Sequence, residues 1–202
     1  MNKLETTNQS EIEKVMKKVY YEFDTAVSYK IWVKNFALNL ENIWKEKSAK
    51  KLTENTVSDS VIVIGRGPSL KNHDHLNKLK SSNYNGAIIC TDGALITALK
   101  AGITPDRFPE FYVVTMDPSS ETARYYKDEI INKYHGKIKG IFSTVSNPIT
   151  VEKARKLGIE IFWFHSLVDY NEGEKSFNQI SALITRAKNH ENGLPAIQTG
   201  GN

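Results

Sequence analysis

Cysteine is nearly missing from this chain of 202 residues. Cys90 stands alone, so no internal disulfide framework exists, and a single thiol fits a reducing cytoplasm. Neither glycine nor proline occurs before residue 65, which removes the usual helix breakers from the first quarter of the chain. No apolar run is long enough to span a bilayer, and no secretory leader pattern opens the sequence. Strong charge of one sign is also lacking. The net charge of +4 comes from scattered lysines, with Lys45–Lys51 the densest patch. Aromatic residues are not interleaved there, so that stretch reads as a solvated helix end and not as a nucleic-acid surface. Two phosphate motifs are absent as well. No Gly-x4-Gly-Lys-Ser/Thr occurs, and Leu70 stands where a dinucleotide fingerprint needs its third glycine.

What the sequence does contain is a stretch that organises the rest. Val61-Ile62-Val63-Ile64 is a run of β-branched residues, as expected of a buried strand. Gly65-Arg66-Gly67-Pro68-Ser69-Leu70 follows at once. Pro68 suits a first helical turn, and Gly65 and Gly67 let the backbone bend and approach a ligand. Strand, glycine loop and helix start together predict an anion site, most simply for phosphate; a bare βα turn is the competing reading.

Upstream, Ser10 and Glu13 form a capping-box pattern. Ile12, Val15, Met16, Val19, Phe23 and Val27 recur at helical spacing, and Trp32, Phe36, Leu40, Ile43 and Trp44 make a second apolar stripe. Residues 1–55 therefore read as a helical segment, available for packing on the main domain or for homo-oligomer contact. A polar linker over 53–60 separates it from an α/β core over 61–202.

In that core, apolar runs alternate with helical patterns. Strands are predicted at 61–64, 87–90, 111–116, 139–142 and 159–164. A polar helix is expected over about 120–134, and a last amphipathic one over 177–187. The alternation predicts a mostly parallel, Rossmann-like sheet with helices on both faces. The strands end in Gly65–Ser69, Thr91-Asp92-Gly93, Asp117, Ser143-Thr144 and His165-Ser166. Polar residues at the carboxyl ends of parallel strands predict a shared cleft. His73-Asp74-His75 looks like a metal cluster, but residues two apart do not share a helix face, and a solvated helix start is expected. Gln198-Thr199-Gly200-Gly201-Asn202 reads as a further glycine loop with no helix after it, so a C-terminally shortened chain is expected.

The glycine loop, Asp92-Gly93-Ala94, Gly102-Ile103-Thr104-Pro105-Asp106 and Val113-Val114-Thr115-Met116-Asp117 together resemble the MptE-like family. That family groups archaeal 6-hydroxymethylpterin diphosphokinases with motility-associated (Maf) glycosyltransferases. The resemblance covers residues 61–202. It implies a transferase moving a diphosphoryl or glycosyl group from a nucleotide donor, ATP or a nucleotide sugar, to a hydroxyl on a small molecule or protein glycan, with Mg²⁺. The loop is also similar to the nucleotide-sugar loop of bacterial sialyltransferases. Met116-Asp117-Pro118 stands where the pterin kinases resemble Asp-Leu-Asp-Gly, and Ser143-Thr144-Val145-Ser146 where they carry a His-rich motif. With Asn35–Asn39 and the Gly-Gly-Asn ending, these departures lean toward the glycosyltransferase branch.

On this reading Gly65, Gly67 and Ser69 hold donor phosphates, with Pro68 opening the helix and Arg66 adding charge or lying solvated. Asp92 binds a ribose hydroxyl or a substrate amine, or caps a helix. Asp117 is the catalytic or Mg²⁺-linked carboxylate, or a turn residue before Pro118. His165 is a general acid or base, or structural. Ser143 lies at the cleft, and Thr199, Gly200, Gly201 and Asn202 form its second wall. A different class of function also fits: a non-catalytic nucleotide-binding module that docks a partner through its helical segment.

Overall fold

The computed structural model describes residues 14, 29–169, 173–186 and 193–198. Lys14 apart, the helix expected over Ser10–Val27 lies outside these residues, as do Ala187 and the closing loop Thr199–Asn202.

Helix α1 spans residues 29–45. Its apolar stripe is spent inside the chain: Phe36 and Ile43 are buried, and Trp32 and Leu40 pack against the same core cluster. Trp44 remains at the rim, 38% exposed. The helix does not run on to residue 55. Strand β1 (Lys47–Ser48) and a 3-10 helix (Ala49–Asn55) follow it. Ser48 decides the break: its backbone pairs beside Trp163, and its hydroxyl caps the 3-10 helix by accepting from the Lys50 N–H.

The core elements then come in order. They are β2 (Val61–Ile64), α2 (Pro68–Asn72), α3 (His75–Ser81), β3 (Ala87–Thr91), α4 (Asp92–Lys100), β4 (Phe111–Thr115), β5 (Lys139–Ser143), α5 (Pro148–Lys156), β6 (Glu160–Leu167), α6 (Phe177–Thr185) and β7 (Ala196–Gln198). All strand pairs are parallel, in the order β1-β6-β5-β4-β3-β2, with β7 also on β6. The Phe164 carbonyl accepts from Thr144 on the β5 side, while the His165 N–H donates to Pro195. Backbone groups of successive strand residues point to opposite edges, so β7 continues the edge that β1 begins.

Strands β2 to β6 step across the sheet in one direction. Right-handed crossovers then put their connections on one face. Register places Ile88, Phe111, Val113, Phe142 and Trp163 on that face, where they join Leu95, Leu99, Ile131, Val151 and Ala154 in one buried cluster. Each fully buried large side chain there contributes about 1.5–3 kcal/mol. The opposite face carries Val61, Val63, Ala87, Ile89, Tyr112 and Ile141. The 3-10 helix Ala49–Asn55 lies on that side, since Leu52 and Thr53 line a cavity of about 310 Å³ with Val61, Ile89, Tyr112 and Ile141. The parallel α/β sheet with helices is as expected, but the cover is unequal: the strand connections lie on one face, the described cover of the other is the 3-10 helix, and Val61 and Val63 stay 51% and 65% exposed.

Three segments differ from expectation. The polar helix over 120–134 is two 3-10 pieces, Ser120–Tyr126 and Glu129–Tyr134, because the Asp128 side chain caps a new start at Ile130. The helix after the glycine loop breaks at Asp74, whose φ is 52°. Strand β6 runs on to Leu167, so His165 and Ser166 lie within it, because β7 pairs alongside. No helix among the described residues is long and apolar enough to cross a membrane.

Candidate functional site

Because every strand is parallel, the ends of β2, β3, β4 and β5 open on one rim of the sheet. Helix α1 closes part of it. Asn35 Nδ2 donates to the carbonyls of Pro118 and Val145 at 3.0 Å each. Asn39 Nδ2 donates to Thr144 and Ser146 at 3.2 and 2.8 Å. Two asparagines one turn apart thus hold down the loops after β4 and β5. Among the described residues, the rim of β2, β3 and β4 stays open.

The glycine loop occupies the β2 end of that rim. Neither Gly65 nor Gly67 has a positive φ; Gly67 sits at φ −111°, ψ 158°, ordinary extended backbone. A Cβ at Gly65 would meet nothing within 4 Å, and one at Gly67 only Ser69 Oγ at an ordinary 3.6 Å. The bend expected to need glycine therefore does not need it. Glycine costs backbone entropy, and nothing among the described residues repays that here. Helix α2 has five residues, too few for a strong dipole. The exposed loop offers instead its backbone and the Ser69 hydroxyl. Beside it, between the outer edge of β2 and α3, lies a cavity of about 730 Å³ lined by Ile62, Leu70, Leu76, Leu79 and Tyr84, with Gly65, Gly67 and Ser69 at one end.

Arg66 ties the loop to its neighbours. Its side chain lies over Gly93, where a Cβ would stand 2.7 Å from Arg66 Cδ. From there Nη1 donates to the Tyr125 hydroxyl. Here close approach favours glycine: a side chain at position 93 would make the exposed arginine shift. Asp92 is the first residue of α4, with Thr91 as N-cap. One Asp92 oxygen accepts from the Gly93 N–H at 2.6 Å. Burial pushes the Asp92 carboxyl above the usual range, and the charge of Asp117 adds to this, against the Gly93 N–H, the Thr115 hydroxyl and Arg66. Asp117 is exposed and accepts from the Ser119 N–H at 2.7 Å. Thr91, one residue beyond the Ile64–Cys90 pair, has a buried Oγ1 without a partner. Two repelling carboxylates beside a backbone cradle are a hard-oxygen set that fits Mg²⁺, which takes one or two carboxylates plus phosphate oxygens. Among the described residues no group of three or more metal-ligating side chains forms, His73-Asp74-His75 included.

The structure gathers Gly65, Arg66, Gly67, Pro68, Ser69, Asp92 and Asp117 in this region. It places two other residues apart. Ser143 is fully buried and shares a 2.6 Å hydrogen bond with Ser166. His165 lies on β6, four strand spacings or about 19 Å from the glycine loop. It is 4% exposed, with Nδ1 3.2 Å from Thr144 Oγ1 and Nε2 2.7 Å from Thr185 Oγ1. Thr185 gives its own proton to the Ser181 carbonyl, so it accepts from Nε2–H, and Nδ1 accepts from Thr144. Burial holds this imidazole down to about 4. Neutral His165 therefore adds stability that is full above pH 6.5 and is lost as pH falls through about 4, a difference of about 3 kcal/mol. Denaturant melts between pH 7 and 4.5 are expected to show that loss in the wild type and a flatter profile in His165→Asn. Equal slopes would contradict it.

Sequence reasoning passed over Arg124 and Tyr125. Nothing in a polar 3-10 segment marks them. Only the placement of β4 beside β3 and β2 brings them to the rim.

No curated protein and no solved structure matches the chain. The family described as 6-hydroxymethylpterin diphosphokinase MptE-like matches residues 34–191, a span that includes Asn35 and Asn39, the glycine loop, Asp92 and Asp117. By that match, which covers most of its length, the chain belongs to the MptE-like family.

Proposed function

We propose that this protein is a nucleotide-dependent transferase whose donor phosphates rest on the Gly65–Ser69 loop. Membership of the family points to a pterin diphosphokinase-like or related transferase. The observation that carries the finer reading is the pair of glycines that neither backbone conformation nor packing requires. Loop amides and the Ser69 hydroxyl cradle the phosphates, and Arg66 adds charge-assisted hydrogen bonds. The ring of the nucleotide enters the 730 Å³ cavity beside the loop. Asp117, with phosphate oxygens, holds Mg²⁺, which when bound neutralises charge on the leaving phosphates. Asp92, whose carboxyl is raised above its ordinary range, accepts the proton of the hydroxyl acceptor, since a raised pKa makes a stronger base. His165, buried with both nitrogens engaged, serves the fold.

The glycosyltransferase branch is favoured over the pterin kinase. The segment after β5, where the kinases carry their His-rich motif, is Thr144-Val145-Ser146. Its side chains are buried and its carbonyls are taken by Asn35 and Asn39, so it supports α1 packing and not ligand contact. Calorimetric titration with ATP, GTP and a panel of nucleotide sugars, with and without Mg²⁺, tests the proposal. Binding of at least one, tightened by Mg²⁺, is expected. No binding of any at millimolar concentration would overturn it.

A further inference from the structure

Tyr125 is held by two arginines. Arg66 Nη1 donates to its hydroxyl, and Arg124 Nη2 donates to the same oxygen at 2.9 Å. Their guanidinium carbons lie 5.1 and 5.0 Å from the centre of the Tyr125 ring. Both arginines are exposed and Tyr125 is half-buried. Among the described residues neither arginine forms an ion pair with a carboxylate. Two cations therefore converge on one neutral oxygen. Stacking on the ring orients them. The charges of Glu121 and Asp117 reach Arg124 and that of Asp92 reaches Arg66, but the phenol oxygen itself adds no charge to offset the repulsion. An anionic oxygen in its place would.

We propose that Arg66 and Arg124 form a clamp for the far end of a polyphosphate chain, and that the Tyr125 hydroxyl stands in for the phosphate oxygen when the chain is absent. This rests on the reading that donor phosphates lie on the glycine loop. Arg66 belongs to that loop, and its side chain crosses Gly93 from the β2 rim toward the Ser120–Tyr126 segment beyond β4. A phosphate chain starting on the loop and following Arg66 therefore arrives between the two guanidinium groups, with Asp92 and Asp117 beside its path. On this path the first phosphate rests on the loop amides, and only a later one meets Arg124. The clamp thus selects donors with two or more phosphates over those with one.

The test uses the full chain and four probes: inorganic tripolyphosphate, ATP, UDP and AMP, each titrated calorimetrically. Arg124→Gln is expected to weaken tripolyphosphate, and whichever of ATP and UDP the wild type binds, by about tenfold, as fits loss of one charge-assisted hydrogen bond, and to leave AMP unchanged. Tyr125→Phe keeps the stacking ring and removes the competing oxygen, so it is expected to bind tripolyphosphate at least as tightly as the wild type. Wild-type failure to bind tripolyphosphate, indifference of tripolyphosphate to Arg124→Gln, or a tenfold loss in Tyr125→Phe would overturn the clamp. Tripolyphosphate binding that depends on Arg124, in a protein that binds no nucleotide, would support the clamp and overturn the donor assignment instead.

Discussion

A Gly67→Val variant is expected to fold like the wild type and to lose about 100-fold in nucleotide affinity, close to 3 kcal/mol. Both halves follow from local geometry. At φ −111°, ψ 158° position 67 is extended backbone that valine adopts readily, and its Cβ meets only Ser69 Oγ at 3.6 Å. Replacing glycine there lowers the entropy of the unfolded chain, so stability stays level or rises by a few tenths of a kcal/mol. The same branched side chain fills the space where a phosphate approaches the amides. Thermal melting and calorimetric titration of the purified variant check the two halves. Unchanged nucleotide affinity would remove the loop from the site. A large drop in melting temperature would mean that glycine serves the fold after all.

Asp117→Asn is expected to reduce turnover by about 1,000-fold, roughly 4 kcal/mol of barrier, while leaving the fold intact. The residue is exposed, and its hydrogen bond from the Ser119 N–H survives in the amide. What disappears is a negative charge beside the phosphates, the carboxylate proposed to hold Mg²⁺. A second readout follows from Asp92. The charge of Asp117 raises the Asp92 carboxyl, so removing it is expected to lower the pH at which Asp92 titrates. Carbon-detected titration of the carboxyl groups would follow that shift. Full turnover in Asp117→Asn would take Asp117 out of the chemistry. A fixed Asp92 titration would mean that the two carboxylates are not coupled.

The core strands were legible because their signal is local. Val61–Ile64 and Phe111–Thr115 are apolar runs bounded by glycine or proline turns, and parallel pairing needs little more. The Gly65–Ser69 loop and the aspartates after β3 and β4 were legible for the same reason. What could not be read was partnership across the sheet. Strand β1 has two residues, and only the edge of β6 makes them a strand. His165 looked like a strand end until β7 extended β6 past it. Asn35 and Asn39 carry a clear spacing on α1, yet their partners lie 83 to 110 residues away. Arg124 acquires its place only because β2, β3 and β4 lie in that order. The glycines of the loop stand out in the sequence for a bend and for close approach to a ligand, and the bend uses no positive φ at either position. The empty space around them is a fact of the folded chain that no sequence pattern carries.

Amide chemical shifts of isotopically labelled protein, followed while the tightest-binding nucleotide is added with Mg²⁺, test the central claim most directly. The account predicts the largest changes at Gly65, Arg66, Gly67 and Ser69, with Gly93 and Tyr125 next and His165 unmoved. Shifts concentrated around Leu52, Ile89 and Ile141, in the cavity on the opposite face of the sheet, with the glycine loop silent, would contradict it.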